Sequence, residues 1–163
     1  MSGGIQYKVR VVEAEAVTPT IRRLRLVAVD GSAFTRKALE YLIAHRHMFV
    51  DGNHLVIVHV CAGIPKHVAK HVAKDLVESY YAEESAKVID PLKAYFADQG
   101  VTDYSVDVRH GHAAEEILRA CKNAGSELIV LGTHGHGIFG RALMGSVATK
   151  VIGEADISVL LVQ

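Results

Sequence analysis

The 163-residue chain predicts an α/β domain built on a parallel sheet. Three observations carry that expectation. Short apolar runs alternate with longer amphipathic stretches, five such runs occur, and most are continuous in Val, Ile and Leu. Runs of that kind read as strands covered on both faces, and strands alternating with helices read as parallel crossovers.

Residues 24–30 (LRLVAVD) are the first predicted strand. Residues 33–49 follow as a helix, with Ala38, Leu39, Leu42 and Ile43 at helical spacing. Residues 54–60 (HLVIVHV) are the second strand. The Ala-, Lys- and Glu-rich stretch 66–98 is helical, and Pro91 is expected to interrupt or kink it. Residues 104–110 (YSVDVRH) alternate and form the third strand. The helix over 113–123 has Gly125 just beyond it, placed to end it in the left-handed conformation. Residues 127–133 (ELIVLGT) are the fourth strand, 145–154 the last helix, and 157–163 the fifth strand, opening at Ile157 and closing at Gln163. Right-handed crossovers then give an open, doubly wound sheet, and five strands are too few for an eight-stranded barrel. Residues 1–23 stand outside the alternation and are read as an N-terminal arm, partly ordered or packed on a partner subunit; 24–163 form the domain.

Eighteen basic residues balance eighteen acidic ones, so no net field favours nucleic acid or an anionic membrane. No apolar run approaches the roughly 20 residues of a membrane helix. The opening MSGGIQYKVR lacks the apolar centre of a secretory signal, and Glu13 and Glu15 do not suit a transit peptide. Cys61 and Cys121 are too few and too far apart for a disulfide scaffold or a zinc site, and they read as small buried apolar residues in a reducing cytoplasm.

In open α/β sheets ligands bind beyond the carboxyl ends of the strands. Two segments have the chemistry for that place. Val27-Ala28-Val29-Asp30-Gly31-Ser32 puts a carboxylate at the end of the first strand. Asp30 either meets a ribose, a base or a phosphate-bound metal, or serves the following helix, for which Ser32 is the better N-cap. The segment from Gly132 to Ser146 (GTHGHGIFGRALMGS) leaves the fourth strand for the last helix. Gly132 and Gly135 clear side chains from a phosphate path, and Gly145 and Ser146 open a helix whose positive end favours an anion. Ser146 either caps that helix or offers its hydroxyl to a phosphate. Neither GxxxxGK[ST] nor a GxGxxG after the first strand is present, which speaks against P-loop hydrolysis and dinucleotide redox chemistry.

The spacing Gly132-x2-Gly135-x9-Gly145-Ser146 resembles the nucleotide motif of the universal stress protein family in its ATP-binding branch. The likeness spans residues 24–163 and includes VDGS after the first strand, HV at the end of the second and the apolar last strand. It implies strand order 3-2-1-4-5, the adenine nucleotide α-hydrolase-like arrangement. It also implies ATP, or AMP or ADP, with Mg²⁺ as an optional companion, and a homodimeric regulator of stress responses with at most slow hydrolysis. By position, Asp30 would contact the nucleoside and the Val60 backbone the adenine. Gly132, His134, Gly135, Gly145, Ser146 and Val147 would surround ribose and phosphates, while Ala28 and Val29 line the pocket. Ala148 departs from members that carry a hydroxyl there; Thr149 comes one place later.

Ten histidines invite a metal reading. His67 and His71 fall four apart on a predicted helix but lack an evident third ligand. His110 and His112, with His134 and His136, lie near strand ends that the implied order keeps apart. No GxSxG serine or matched carboxylate pair supports catalysis, so the expectation is binding without catalytic residues and without a resident metal. The last strand lies at a sheet edge in the implied order, and pairing with its own copy would cover it; the arm is the other cover. A dimeric interaction module without nucleotide, and a slow ATPase, are the rival functions.

Overall fold

The computed structural model describes residues 23–134 and 144–163. In chain order they form β1 (Arg23–Val29), α1 (Ala33–Ala44), α2 (Arg46–Phe49), β2 (Asn53–Cys61), α3 (Lys66–Ala69) and α4 (Lys74–Asp98). β3 (Tyr104–His110), α5 (Ala113–Ala124), β4 (Leu128–Gly132), α6 (Ser146–Glu154) and β5 (Ser158–Val162) complete the domain. The strands make one parallel sheet in the order β3-β2-β1-β4-β5, as expected. β1 begins at Arg23, one residue ahead of the expected start.

Successive residues of a strand point to opposite faces, and both faces here are apolar. Val27 and Val29 of β1 join Leu55, Ile57 and Val130 beneath α1 and α4, which contribute Leu39, Leu42, Leu92 and Phe96. Leu26 and Ala28 join Val58, Ile129 and Leu131 beneath α5 and α6, which contribute Ile117, Ala120 and Val151. Each such buried Leu, Ile or Val contributes about 1.5–3 kcal/mol relative to exposure. This double covering holds the helices on the sheet more firmly than their propensities do. It applies to β1, β2 and β4; the edge strands β3 and β5 are only half covered.

Two helical expectations need correction. The predicted helix over 33–49 divides at His45, whose ring Nδ1 meets the Tyr41 carbonyl at 2.9 Å. The turn that follows brings Arg46 to the Gln99 carbonyl at 3.1 Å and to Asp51. The helical region 66–98 breaks at residues 70–73, not at Pro91, which lies inside α4. Pro91 and Lys87 are both exposed, so the carbonyl that Pro91 has no N–H to serve takes water at little cost. Gly125 ends α5 with φ 66°, the left-handed cap its position predicts.

Candidate functional site

β1 and β4 are neighbours, yet their pairing stops at Val27–Val130. β1 stays paired with β2 as far as Val29–His59, and β4 with β5 as far as Gly132–Val162. The two central strands therefore part near their carboxyl ends, where the strand order reverses. A cavity of about 290 Å³ opens at that split. The buried His59 braces its rim: its Nδ1 donates to the Val29 carbonyl at 2.9 Å, because a carbonyl can only accept.

The cavity has an apolar side and a polar side. Val58 and Val60 of β2 face Ala113 and Ile117 of α5, a slot suited to a flat apolar ring. Asp30, Thr133, His134 and Ser146 supply polar groups from the two loops. Among the residues expected at the site, Ala28, Val29, Asp30 and Val60 line this cavity from β1 and β2. Gly132, His134, Gly145, Ser146 and Val147 line it from β4 and α6. Gly135 and His136 lie outside the described residues.

Gly31, at φ 78°, turns the chain so that Asp30 folds back over the start of α1. Asp30 Oδ1 accepts from the Ser32 N–H at 2.9 Å and from the Thr35 hydroxyl at 2.6 Å. Ser32 is the N-cap, accepting from the Thr35 N–H. Asp30 thus steadies the helix start and also lines the cavity.

Gly132 requires a correction. A Cβ there would stand 2.7 Å from the Cβ of Phe34 and 2.9 Å from its carbonyl carbon. Its missing side chain clears the way for α1, so the space it provides lies on the helix side. The Phe34 ring meets His134 at a tilt of 45°, with centroids 4.9 Å apart.

The neck of the Gly-rich loop is closed by backbone. Thr133 N–H donates to the Val162 carbonyl at 3.0 Å, and Gly145 N–H donates to the Thr133 carbonyl at 2.7 Å. Gly145, not Ser146, is the N-cap of α6, and it makes no side-chain cap hydrogen bond. The first backbone bond of that helix runs from Thr149 N–H to the Gly145 carbonyl. The N–H groups of Ser146, Val147 and Ala148 precede it, and all three residues line the cavity. With the helix dipole they form an anion-favouring corner. The Thr149 hydroxyl is turned back onto the Gly145 carbonyl at 2.9 Å and does not replace the hydroxyl missing at Ala148.

Between the two helices that wall the cavity, Lys150 of α6 donates to Glu115 of α5 at 2.9 Å, and that hydrogen bond holds the Glu115 carboxyl below its usual range. Sequence reasoning missed Thr35, Ala113 and Ile117. Thr35 had a signal, as the third residue after the cap serine; Ala113 and Ile117 had only their helical spacing. His71 lies beyond α3, so it shares no helix with His67. Among the described residues no cluster of three or more His, Cys, Asp or Glu is arranged for a metal, and no helix is long and apolar enough to cross a membrane.

Over residues 24–163 the chain matches the model of the universal stress protein family. A universal stress protein of Thermus aquaticus is 30% identical over 138 residues, covering 85% of this chain and 96% of the relative. UspA of Lactobacillus plantarum is similar in fold, with TM-score 0.70 at 20% identity over 86% of this chain and 97% of its own. The universal stress protein of Archaeoglobus fulgidus in complex with dAMP has TM-score 0.62 at 17% identity, covering 88% and 99%. A universal stress protein family protein of Arabidopsis thaliana with AMP bound has TM-score 0.60 at 16% identity, covering 86% and 90%. At those identities the structural likeness speaks for the fold.

Proposed function

The chain belongs to the universal stress protein family, and we propose that it binds an adenine nucleotide in the cavity between β1 and β4 and acts as a regulator by that binding. One observation carries the reading. An apolar slot, a carboxylate-bearing turn and the amino end of α6 converge on one cavity at the sheet's switch point. The slot between Val60 and Ile117 suits adenine, the Asp30 turn suits the nucleoside, and the corner at Ser146 and Val147 suits phosphate oxygens. The structural neighbours solved with dAMP and AMP support the same class of ligand. ATP is our preferred ligand over ADP and AMP, because the spacing Gly132-x2-Gly135-x9-Gly145-Ser146 resembles the motif of the family's ATP-binding branch. Mg²⁺, if it accompanies the nucleotide, neutralises phosphate charge; Asp30 is the carboxylate in the cavity lining.

The chain's own part in this is to bind and orient. Among the described residues the cavity lining holds one carboxylate and no Lys or Arg, an arrangement that makes a poor hydrolase, and we propose that turnover is at most slow. We assign residues 24–163 to the binding domain and residues 1–23 to an arm outside it. We also propose a homodimer through β5, whose Val159, Leu160 and Leu161 are only partly buried at the sheet edge, and a cytoplasmic setting. Interaction with a further protein partner follows from the regulatory reading.

Native purification followed by acid extraction and nucleotide chromatography, with calorimetric titration of ATP, ADP and AMP with and without Mg²⁺, tests the proposal. Bound adenine nucleotide, or saturable binding at one site per chain, is the expected result. No binding of any of the three would refute it. Sedimentation is expected to give twice the 17.7 kDa chain mass; a monomer at micromolar concentration refutes the dimer.

A further inference from the structure

Thr35 is the third residue of α1 and only 6% exposed, yet its hydroxyl belongs to no helix hydrogen bond. It donates to Asp30 Oδ1 at 2.6 Å and accepts from the Asp30 N–H at 3.2 Å. The hydroxyl's one proton goes to the carboxylate, and a lone pair takes the amide. In the usual capping box the third helical residue reaches back to the N–H of the cap. Here Asp30 Oδ1 serves the Ser32 N–H at 2.9 Å instead, which leaves the Thr35 hydroxyl for Asp30.

The location of Thr35 makes this pairing consequential. On the α1–α4 face a second groove runs past Arg36, Leu39, Leu92 and Tyr95. Among the described residues only Val29 and Thr35 line both that groove and the central cavity. Thr35 is thus the polar part of the wall behind Asp30. A valine would pack in that wall equally well, and a buried hydroxyl is costly unless it is paired. Its pairing is entirely with one residue that faces the cavity.

We infer that Thr35 is a positioning residue that, together with the Ser32 N–H, holds the Asp30 carboxylate in one rotamer at the cavity wall, so that its hydroxyl tunes ligand affinity through Asp30. This rests on the nucleotide reading for its affinity consequence, but the clamp itself is a property of the ligand-free protein. A residue that merely begins α1 would instead act on affinity whether or not Asp30 were present.

The experiment compares Thr35→Val, Thr35→Ser, Asp30→Ala and the Thr35→Val/Asp30→Ala pair in the full chain, with thermal melting to confirm folding. ATP affinity is measured by calorimetry, and the Asp30 χ1 population by side-chain three-bond NMR couplings without ligand. Thr35→Val is expected to weaken ATP binding about tenfold and Thr35→Ser by no more than about twofold, as for loss and retention of a hydrogen bond to a charged group. In the Asp30→Ala background Thr35→Val changes affinity by less than about twofold, the signature of a coupled pair. Asp30 holds a single rotamer in the wild type and in Thr35→Ser, and averages in Thr35→Val. An equal loss of affinity in both backgrounds, or a single rotamer retained in Thr35→Val, overturns the inference. If the rotamer spreads as expected while the wild type binds no adenine nucleotide, the clamp stands and the nucleotide reading falls. Should Thr35→Val fail to fold, a multi-rotamer Asp30 in the folded wild type refutes the clamp and a single rotamer there, kept by Thr35→Ser, supports it.

Discussion

Replacing Gly132 by alanine places a methyl carbon 2.7 Å from the Cβ of Phe34, 2.9 Å from its carbonyl carbon and 3.1 Å from its carbonyl oxygen. Carbon atoms in good contact lie about 3.5–4.0 Å apart, so the new methyl overlaps Phe34 by about 1 Å. Two of the three clashing atoms are helix backbone, and no side-chain rotation moves them. α1 must therefore lift from β4. Gly132 is not among the residues of positive φ, so the penalty comes from space and not from backbone conformation. Overpacking of this kind costs about 1–3 kcal/mol. It outweighs the gain of about 0.4–1 kcal/mol that Gly→Ala brings by restricting the unfolded chain. For a domain of this length the melting temperature falls by about 2–4 °C per kcal/mol. Urea unfolding followed by circular dichroism, in the absence of nucleotide, measures the loss directly. A midpoint equal to that of the wild type, within about 0.5 kcal/mol, would refute the close approach of α1 to β4.

Two other glycines give opposite signs. Gly125→Ala is expected to cost about 1 kcal/mol, because φ is 66° and the space around it is open; Gly153→Ala, in α6 with ordinary φ and open space, is expected to stabilise by about as much. Denaturant midpoints of the two variants must move in opposite directions. Ala113→Phe puts a ring into the slot facing Val60 and should weaken ATP binding at least about tenfold while melting changes little; unchanged calorimetric affinity would remove the slot from the site. Gly135→Val, argued from the glycine spacing alone, should weaken ATP binding at least about tenfold by intruding on the phosphate path, and an unaltered titration would reject that assignment. Burial raises the thiol pKa of Cys121, and burial followed by the Glu84 charge raises that of Cys61. Both folded values lie above the unfolded ones, so this contribution to stability is complete below the ordinary thiol range and is lost as pH climbs through the raised values. Native protein should react slowly with a disulfide reagent and lose urea stability through the alkaline thiol range; fast labelling or flat stability contradicts this.

The last helix shows how a local signal survives folding and where it stops. Glycine and serine before an apolar run announced a helix start after β4, and α6 begins there. Which of the two caps it was not legible, because Gly145 becomes the cap only when its N–H reaches the Thr133 carbonyl. The break near residue 70 and the intact passage through Pro91 were equally hidden. A proline on an exposed helix face is tolerated, and exposure is a property of packing.

From its residues alone this chain declared five strands and their alternation with helices, and it raised two loops as candidates for a ligand. Hydrophobic period, turn chemistry and glycine spacing are local, and they are written within a few residues of where they act. The strand order came with the family resemblance. Only the tertiary structure decided that β1 and β4 part after Val27 and Val130, that α5 supplies the facing wall through Ala113 and Ile117, and that a side chain at Gly132 would collide with Phe34. Those are contacts between segments distant in the chain. They are set by how two apolar faces of one sheet are covered at once, which no window of sequence contains.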